Sequence, residues 1–376
     1  MKWSASSNRV CPARRVGGRQ ARGEVIESPV LKAGYNRAGL LLLLVGVLIS
    51  VLVVAASLGA VSISIRVVTK MLLSRIPIVS SLVGSRDWSL ALETIFFKIR
   101  LPRLILAALI GTSLAVAGVI FQALFKNPMA DPCIIGVSSG AALGATLAII
   151  FKIGFSLIGL STVPIMAFLG ALITVIIVYQ IARVGPVVPV TALLLSGIAV
   201  GSFISAITSL LMVLGGEDLH SVVFWLMGGL GARNWNHVKM ILPFILPGLL
   251  FIPLFARDLN LILLGEEKAQ QLGIGVEGFK KEMLALGSLI TAAAVSVSGL
   301  IGFIGLMVPH IVRLITGPDH RVLLPCSALV GSIFLIIADT LARLLLAPME
   351  IPVGIVTALF GAPFFIFLLR REKSLV

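Results

Sequence analysis

Three cations crowd the beginning of an apolar run in the segment FKIRLPRLIL, residues 97–106. They are Lys98, Arg100 and Arg103, and Pro102 stands where a helix is predicted to begin, because proline lacks the amide hydrogen that a first turn leaves unused. The helix dipole opposes positive charge at that end. The sequence therefore predicts that an acidic partner outside the helix attracts these arginines, and the chemistry it indicates is ion pairing.

A second charged pair lies in ADTLARLLLAPMEIP, residues 338–352. Asp339 and Arg343 are four residues apart with the acid first, which is the favourable order for a helical ion pair. Ionisable residues in an apolar helix are functional candidates. Arg343 is predicted to emerge on the same side as Arg100 and Arg103, where the three arginines suit an acidic partner; an anchor for lipid headgroups is the alternative.

Other chemistries find no support in the sequence. The stretch GIGVEG, residues 273–278, has G-x-G-x-x-G spacing, but it follows no strand, and Phe279 stands where a P-loop requires lysine. The four histidines and three cysteines show no metal-ligand spacing. No nucleophile, base or carboxylate pair indicates an enzyme. The sequence predicts no metal, no cofactor and no means of hydrolysing ATP within this chain.

Composition predicts which elements position these charges. Of 376 residues, 58% are hydrophobic and 12% are charged, whereas soluble domains carry about 25% charged residues. Charge-free runs of up to 33 residues exceed the ~20 residues that cross a bilayer; an example is 184–216. The net charge of +14 fits the accumulation of Lys and Arg on the cytoplasmic side better than it fits nucleic acid. An all-α polytopic membrane protein is predicted.

The chain is predicted to consist of a basic cytoplasmic tail, residues 1–37, and a transmembrane domain, residues 38–376, with both termini in the cytoplasm. An uncleaved first span is favoured over a signal peptide because its apolar run is too long for one. Ten spans are predicted, at 39–60, 103–124, 133–151, 163–182, 190–213, 238–256, 283–300, 303–315, 322–342 and 351–370.

Two loops between the spans carry the remaining signals. In residues 125–145 two prolines break the chain, and glycines at every fourth position then predict a face for close helix packing; this loop is also a candidate for the mouth of a pathway. Residues 263–274 (LLGEEKAQQLGI) form a polar, helix-favouring insert. A solvated loop and a docking helix for a cytoplasmic subunit are equal alternatives for it.

A series of motifs, in order along residues 98–370, resembles the permease subunits of ATP-binding-cassette (ABC) importers for iron siderophores, haem and cobalamin. The motifs are RLPR, NPMADPCIIGVSSGAALGA, LLLSGIAVG, FWLMGGLG, LGEEKAQQLG, GFIGLMVPHIVRL, DHRVLLP, ADTLARL and IPVGIVTALFGAPFFIFLL. The resemblance implies a type II ABC importer permease fold with ten helices and a homodimer. It also implies two cytoplasmic ATPase subunits and an extracytoplasmic binding protein as partners, in the inner membrane of a prokaryote.

The same resemblance implies roles for individual residues. Arg100, Arg103 and Arg343 match arginines that form salt bridges with the binding protein. A coupling loop at 263–281 meets the ATPase, and a cytoplasmic gate lies at two loops. The coupling residues are Gly265, Glu266, Glu267, Gln271 and Gly273, and the gate residues are Asn127, Met129, Val190 and Thr191. Val190 departs from the small hydroxyl residues of many relatives.

The predicted function is import by alternating access, driven by the partner ATPases, with a ferric siderophore as the favoured cargo and haem or cobalamin as alternatives. The spans offer small residues and scattered hydroxyls, such as Ser202, Ser205 and Thr208, and so predict weak contact with a bulky chelate. The alternative class is an ion-coupled secondary transporter, which needs carboxylates within the membrane; Asp339 is the acid available for that purpose.

Overall fold

The computed structural model describes residues 37–59, 61–75, 87–154 and 162–373, so the predicted tail lies outside the described residues except for Arg37. Those residues form helices and no strands; Val184 and Val187 make an isolated bridge. The helices are α1 (Arg37–Ser57), α2 (Ile65–Leu73), α3 (Leu90–Thr94), α4 (Leu101–Leu124), α5 (Val137–Ile150), α6 (Thr162–Ala182), α7 (Val190–Leu214), α8 (Leu219–Leu226), α9 (Trp235–Phe251), α10 (Ala256–Leu263), α11 (Glu266–Gln271), α12 (Val276–Ser298), α13 (Ile304–Thr316), α14 (His320–Leu344) and α15 (Val353–Lys373).

The helices confirm a polytopic membrane protein. Within the described residues, seven helical segments are long and apolar enough to cross a bilayer, and three shorter apolar helices lie at Val137–Ile150, Ile304–Thr316 and Val353–Leu368. The shorter three coincide with predicted spans, but a count of ten crossings stays a prediction. Large apolar side chains are exposed on the outer helices, among them Leu42 and Val213, as expected where lipid is the solvent.

The centre of the bundle is formed by α4 and α12, which pack against each other and against α14, α13 and α6. Glycine permits these close approaches. A methyl group at Gly118 would overlap the carbonyl oxygen of Gly305 in α13, and one at Gly144 would overlap the carbonyl oxygen of Met166 in α6. The glycine spacing in residues 136–144 therefore predicted a real packing face.

α4 begins at Leu101 with Pro102 in its first turn, as predicted, but α4 continues a helical run that starts further back. The helical run begins at Leu90, with the Ser89 side chain accepting from the Leu92 amide at 3.3 Å, and reaches α4 through a π-helical segment, Ile95–Arg100. In that wider register the amide of residue 102 would bond to the carbonyl of Phe97. Proline has no such hydrogen, and the indole of Trp235 donates to the Phe97 carbonyl instead, at 2.8 Å.

The bundle has two chemically different ends. The arginine end comprises residues 57–59, 61–64, 87–103, 215–235 and 343–353, and the α11 end comprises residues 125–136, 183–189, 256–275 and 317–319. The 23 residues of α12 run from one end to the other, a length of about 35 Å at 1.5 Å per residue. The RLPR segment and the polar loop at 263–274 therefore lie on opposite sides of the bundle.

Candidate functional site

At the arginine end, Arg103 holds two carboxylates. Its Nε lies 3.0 Å from both oxygens of Asp339 and its Nη2 lies 2.9 Å from Oδ1, while its Nη1 donates to both oxygens of Glu350, at 3.0 and 2.9 Å. The Asp339 side chain is 0% exposed and that of Glu350 is 48% exposed. Arg103 therefore joins a buried, fixed acid in α14 to an accessible acid in the loop that precedes α15.

Arg343 completes this ion cluster from the other side of Asp339. Its Nε lies 3.2 Å from Asp339 Oδ2, an ion-pair contact without hydrogen-bond alignment. Its Nη1 donates to the carbonyl of Leu58 at 3.1 Å and its Nη2 to the hydroxyl of Thr340 at 3.2 Å. The predicted pairing of Asp339 with Arg343 along one helix is thus confirmed, and it is shared with Arg103.

Arg100 is buried at the end of α1. Its Nη1 donates to the carbonyls of Ala56, at 2.7 Å, and Ser57, at 3.3 Å, and its Nη2 donates to the carbonyl of Val61. The last carbonyls of a helix lack intrahelical donors and carry partial negative charge. A guanidinium with several donors satisfies them, so Arg100 ties the end of α1 to the π-helical entry of α4.

The structure brings the three predicted arginines together at one end, as expected, and it supplies acids from within the chain to Arg103 and Arg343 and carbonyls to Arg100. Sequence reasoning looked for those acids in another protein. Asp339 and Glu350 fill that role here, and whether a docking protein also pairs with the arginines stays a prediction. Glu350 was not singled out, although it is the single acid between residues 340 and 371; that isolation was the available signal.

At the α11 end, the buried Lys280 of α12 holds the predicted coupling helix. Its Nζ lies 2.7 Å from Glu266 Oε2 and 3.0 Å from Glu277 Oε1. The other oxygen of Glu277 accepts from the Val188 amide at 3.0 Å, which links the loop before α7 to the same group. Among the predicted coupling residues, Glu266 is therefore an anchor.

The remaining predicted coupling residues border or cover α11. Glu267 and Gln271 are exposed. Gly265 and Gly273 have positive φ, at 116° and 90°, which favours glycine at both ends of this short helix. Ala269 packs inward, fully buried. α11 thus presents a polar, solvent-facing side on a base that Lys280 fixes.

The predicted gate residues lie at the same end, two in the loop after α4 and two in the first turn of α7. The side-chain oxygen of Asn127 accepts from the Met129 amide at 2.9 Å, an Asx turn of the kind predicted there. Val190 and Thr191 occupy the first turn of α7, with Val190 half-buried and Thr191 exposed. Nearby, burial raises the pKa of Asp131, although its carboxylate accepts from the Cys133 amide at 2.7 Å.

A third cluster at the α11 end surrounds Asp319. Its carboxylate accepts from the Asn260 side chain at 2.9 Å and from the Arg321 amide at 3.0 Å, and it lies 3.4 Å from Arg37. Burial alone would raise the pKa of Asp319, but these hydrogen bonds and the charges of Arg37 and Arg321 outweigh it and lower the pKa. The cluster holds the first residues of α1 and α14 against α10.

Between the two ends, a hydroxyl-lined groove of about 700 Å³ runs along one face of α7. Gly197, Gly201, Ser205 and Ser209 recur at every fourth residue of α7, and α5 contributes Ser138 and Ser139. Polar side chains are unfavourable against lipid tails. This face of α7 therefore suits water or another polar surface, whereas Leu210 on another face of the same helix suits lipid.

Comparisons with known proteins agree with this arrangement of helices. The model of the FecCD transport family matches residues 42–371. The cobalamin import system permease BtuC of Halobacterium salinarum is 49% identical over 281 residues, 75% of this chain and 74% of that protein. The hemin transport permease HmuU of Yersinia pestis is 40% identical over 338 residues, 88% and 96% of the two chains.

A solved structure, described as an inward-facing conformation of a metal-chelate type ABC transporter, superposes with a TM-score of 0.77 at 32% identity and covers 89% of this chain and 99% of its own. The fold is that of a type II ABC importer permease, and the relatives are transport permeases rather than enzymes. The chain belongs to the FecCD transport family. The resemblance found in its motifs is thereby confirmed.

Proposed function

We propose that this chain is the permease subunit of an importer for a metal chelate or a related macrocycle, and that two copies enclose the path. The groove on α7 carries this proposal. An exposed, hydroxyl-rich face within a membrane-spanning helix requires a polar neighbour, and a second copy placed against it would enclose a path lined by serine, threonine and glycine.

The two ends support partners on opposite sides of the membrane. We place the protein in the inner membrane of a prokaryote, with the α11 end and both termini on the cytoplasmic side. Two ATPase subunits engage α11 there through Glu267 and Gln271. Glu266, Gly265 and Gly273 set its position. Force applied to α11 reaches α12 through Lys280 and reaches the gate loop before α7 through Glu277. Asn127, Met129, Val190 and Thr191 then form the gate that this movement opens.

The arginine end receives the extracytoplasmic binding protein in this proposal. The guanidiniums of Arg100, Arg103 and Arg343 already have acceptors within the chain, so direct salt bridges from a docking protein to them require an exchange of partners. Arg103 is best placed for such an exchange because Glu350, its accessible partner, is half-exposed. Apolar side chains beside it, at Leu345, Leu346 and Met349, are also exposed and provide area for docking.

The cargo belongs to the chemistry that the relatives transport. Those relatives are named for cobalamin, hemin and ferric dicitrate, and a ferric siderophore is the cargo that we favour. A low-affinity path fits all of these bulky compounds, since the groove contains hydroxyls and backbone rather than metal ligands. The ion-coupled alternative has no support, because Asp339 is engaged by two arginines and is not free to carry an ion.

Filling the groove tests the proposal. The Ser205→Trp variant should abolish ATP-dependent uptake of ferric chelate, haem or cobalamin into proteoliposomes that contain the permease with its ATPase and binding protein. Leu210→Trp is the matched control, because Leu210 lies on the same helix, is 60% exposed and is absent from the groove. Normal uptake by Ser205→Trp, or uptake by the permease alone driven by an ion gradient, would overturn the proposal.

A further inference from the structure

A separate cavity of about 340 Å³ opens at the arginine end, between α8, the residues that follow it and the loop before α15. Arg103 and Arg233 line it, together with Trp225 and Ser221. Glu350 is the one acid among its lining residues. The wall of this cavity is largely apolar, and two arginines and one acid supply its charge.

Arg233 is the cation in this wall that lacks an acidic partner. Its Nε donates to the carbonyl of Val297 at 2.8 Å, near the end of α12, where the dipole favours a cation. Within the described ranges no carboxylate lies within ion-pair distance of it. Burial lowers the pKa of Arg233, yet a guanidinium stays protonated at physiological pH. Its other nitrogens are thus donors available to a ligand.

Trp225 adds an independent observation. Its indole Nε1 is buried and has no hydrogen-bond partner. A buried donor without an acceptor costs about 1–3 kcal/mol, so such groups are rarely left unused. Trp225 lines the same cavity as Arg233, so a donor without an acceptor belongs to a residue of its wall.

Glu350 is an example of a carboxylate bound to an arginine of this cavity. Its carboxylate is at the rim and accepts from Arg103 with both oxygens, while Asp339 holds the buried side of the same guanidinium. Guanidinium and carboxylate groups match in planar geometry. The carboxylate of Glu350 already binds the guanidinium of Arg103. The guanidinium of Arg233 remains available to a second carboxylate.

We propose that this cavity binds a carboxylate-bearing anion, held by Arg233 with help from Trp225 and Arg103, and that Glu350 competes with it for Arg103. The inference goes beyond the proposed function, which gives the permease only a low-affinity path. The carboxylate can come from a transported chelate or from the side chain of a docking protein. Binding of a small carboxylate to the isolated chain does not depend on either source.

The test is a titration of purified protein in detergent with citrate and with acetate, at ionic strength held constant with chloride. Calorimetry of the wild type should show saturable binding of citrate. Arg233→Gln should weaken it about tenfold or more, because a charge-assisted hydrogen bond is lost. Glu350→Gln should tighten it about two- to fivefold, since an exposed competing pair is removed. Opposite effects from the two variants are not expected of a purely structural role.

Arg75→Gln provides the matched control, because Arg75 is an exposed arginine that pairs at 3.3 Å with Glu93, a residue of the arginine end, and does not line the cavity. This variant should bind citrate as the wild type does. If Arg233→Gln does not fold, Arg233→Lys keeps the charge without the planar fork and should bind several-fold more weakly. Absence of saturable binding in the wild type, equal affinity in the Arg233 variant, or weaker binding in Glu350→Gln would overturn the proposal.

Transport measurements then identify the source of the carboxylate. If it belongs to the cargo, Arg233→Gln should slow uptake of ferric citrate and spare a carboxylate-free ferric hydroxamate. If it belongs to the docking protein, uptake of both should slow equally. A chain that binds citrate as described but supports no ATP-dependent uptake would argue against the proposed function and leave the carboxylate site in place.

Discussion

Replacing Asp339 with asparagine removes the buried acid that two arginines share. Asp339 accepts three contacts of 2.9–3.0 Å from Arg103 and lies 3.2 Å from Arg343. Asparagine keeps the size of the side chain but supplies one acceptor oxygen and no charge. The local charge of the three arginines and two acids rises from +1 to +2, and the lost charge is that of the fully buried Asp339.

The cost follows from burial. Breaking a buried ion pair by removing one partner destabilises a protein by about 3–5 kcal/mol. At roughly 2.1 cal/mol/K per residue, unfolding this chain carries about 0.8 kcal/mol/K of entropy, so the midpoint should fall by about 4–6 °C. Glu350→Gln removes an acid of the same charge from the same guanidinium, but at a half-exposed site, where a pair contributes about 0–1 kcal/mol. Its midpoint should fall by about 1 °C at most.

Thermal unfolding of the purified protein in detergent measures both variants side by side. A double variant, Asp339→Asn with Arg103→Gln, restores the local charge to +1 and should unfold at a higher temperature than Asp339→Asn alone. If Asp339→Asn unfolds within a degree of Glu350→Gln, or if the double variant is the less stable, then the shared buried acid does not hold this end together and the reasoning fails.

Two further predictions concern the α11 end. Lys280→Gln should speed amide hydrogen exchange across α11 and reduce the stimulation of transport by ATP, because it releases Glu266 and Glu277. Lys281→Gln, at the exposed neighbouring lysine, should change neither. Equal effects of the two variants would refute the anchoring role of Lys280. The lowered pKa of Asp319 predicts stability that is complete above its unfolded value of 3.8 and is lost as the pH falls through the folded value. Asp319→Asn should flatten the acid side of the stability profile, and an unchanged slope would contradict this assignment.

Composition and motif order were enough to predict the membrane class, the family and the separation of the two ends. These features depend on patterns that extend over many residues, such as runs without charge and glycines at every fourth residue. A wrong prediction at one residue does not change them. The helical run that leads into α4 was not predicted, for a local reason. Pro102 indicates the first turn of a helix and gives no sign that helix precedes it. The sequence does not reveal that Trp235, 133 positions away, donates to the Phe97 carbonyl in place of the hydrogen that proline lacks.

The partners of the arginines were missed for a related reason. Asp339 was read as a partner for Arg343 because helical spacing is visible in a sequence, whereas its contact with Arg103 spans 236 positions. Glu350 stands alone among the acids between residues 340 and 371. An isolated charge in an apolar stretch is costly, so its position is informative even when its partner is unknown.

The two ends differ in how their charges can respond to a partner. At the α11 end, Lys280 is buried and its two acids are on the surface side, so a protein that pulls on α11 acts through a fixed cation on α12 and on the loop before α7. At the arginine end the arrangement is reversed: the fixed member is an acid, Asp339, and the accessible member is Glu350. An incoming carboxylate can replace Glu350 without changing the net charge of the cluster, which makes exchange feasible in a region where adding or removing a charge would be costly. The arginine end is therefore suited to reversible recognition of acids, and the α11 end to transmission of movement.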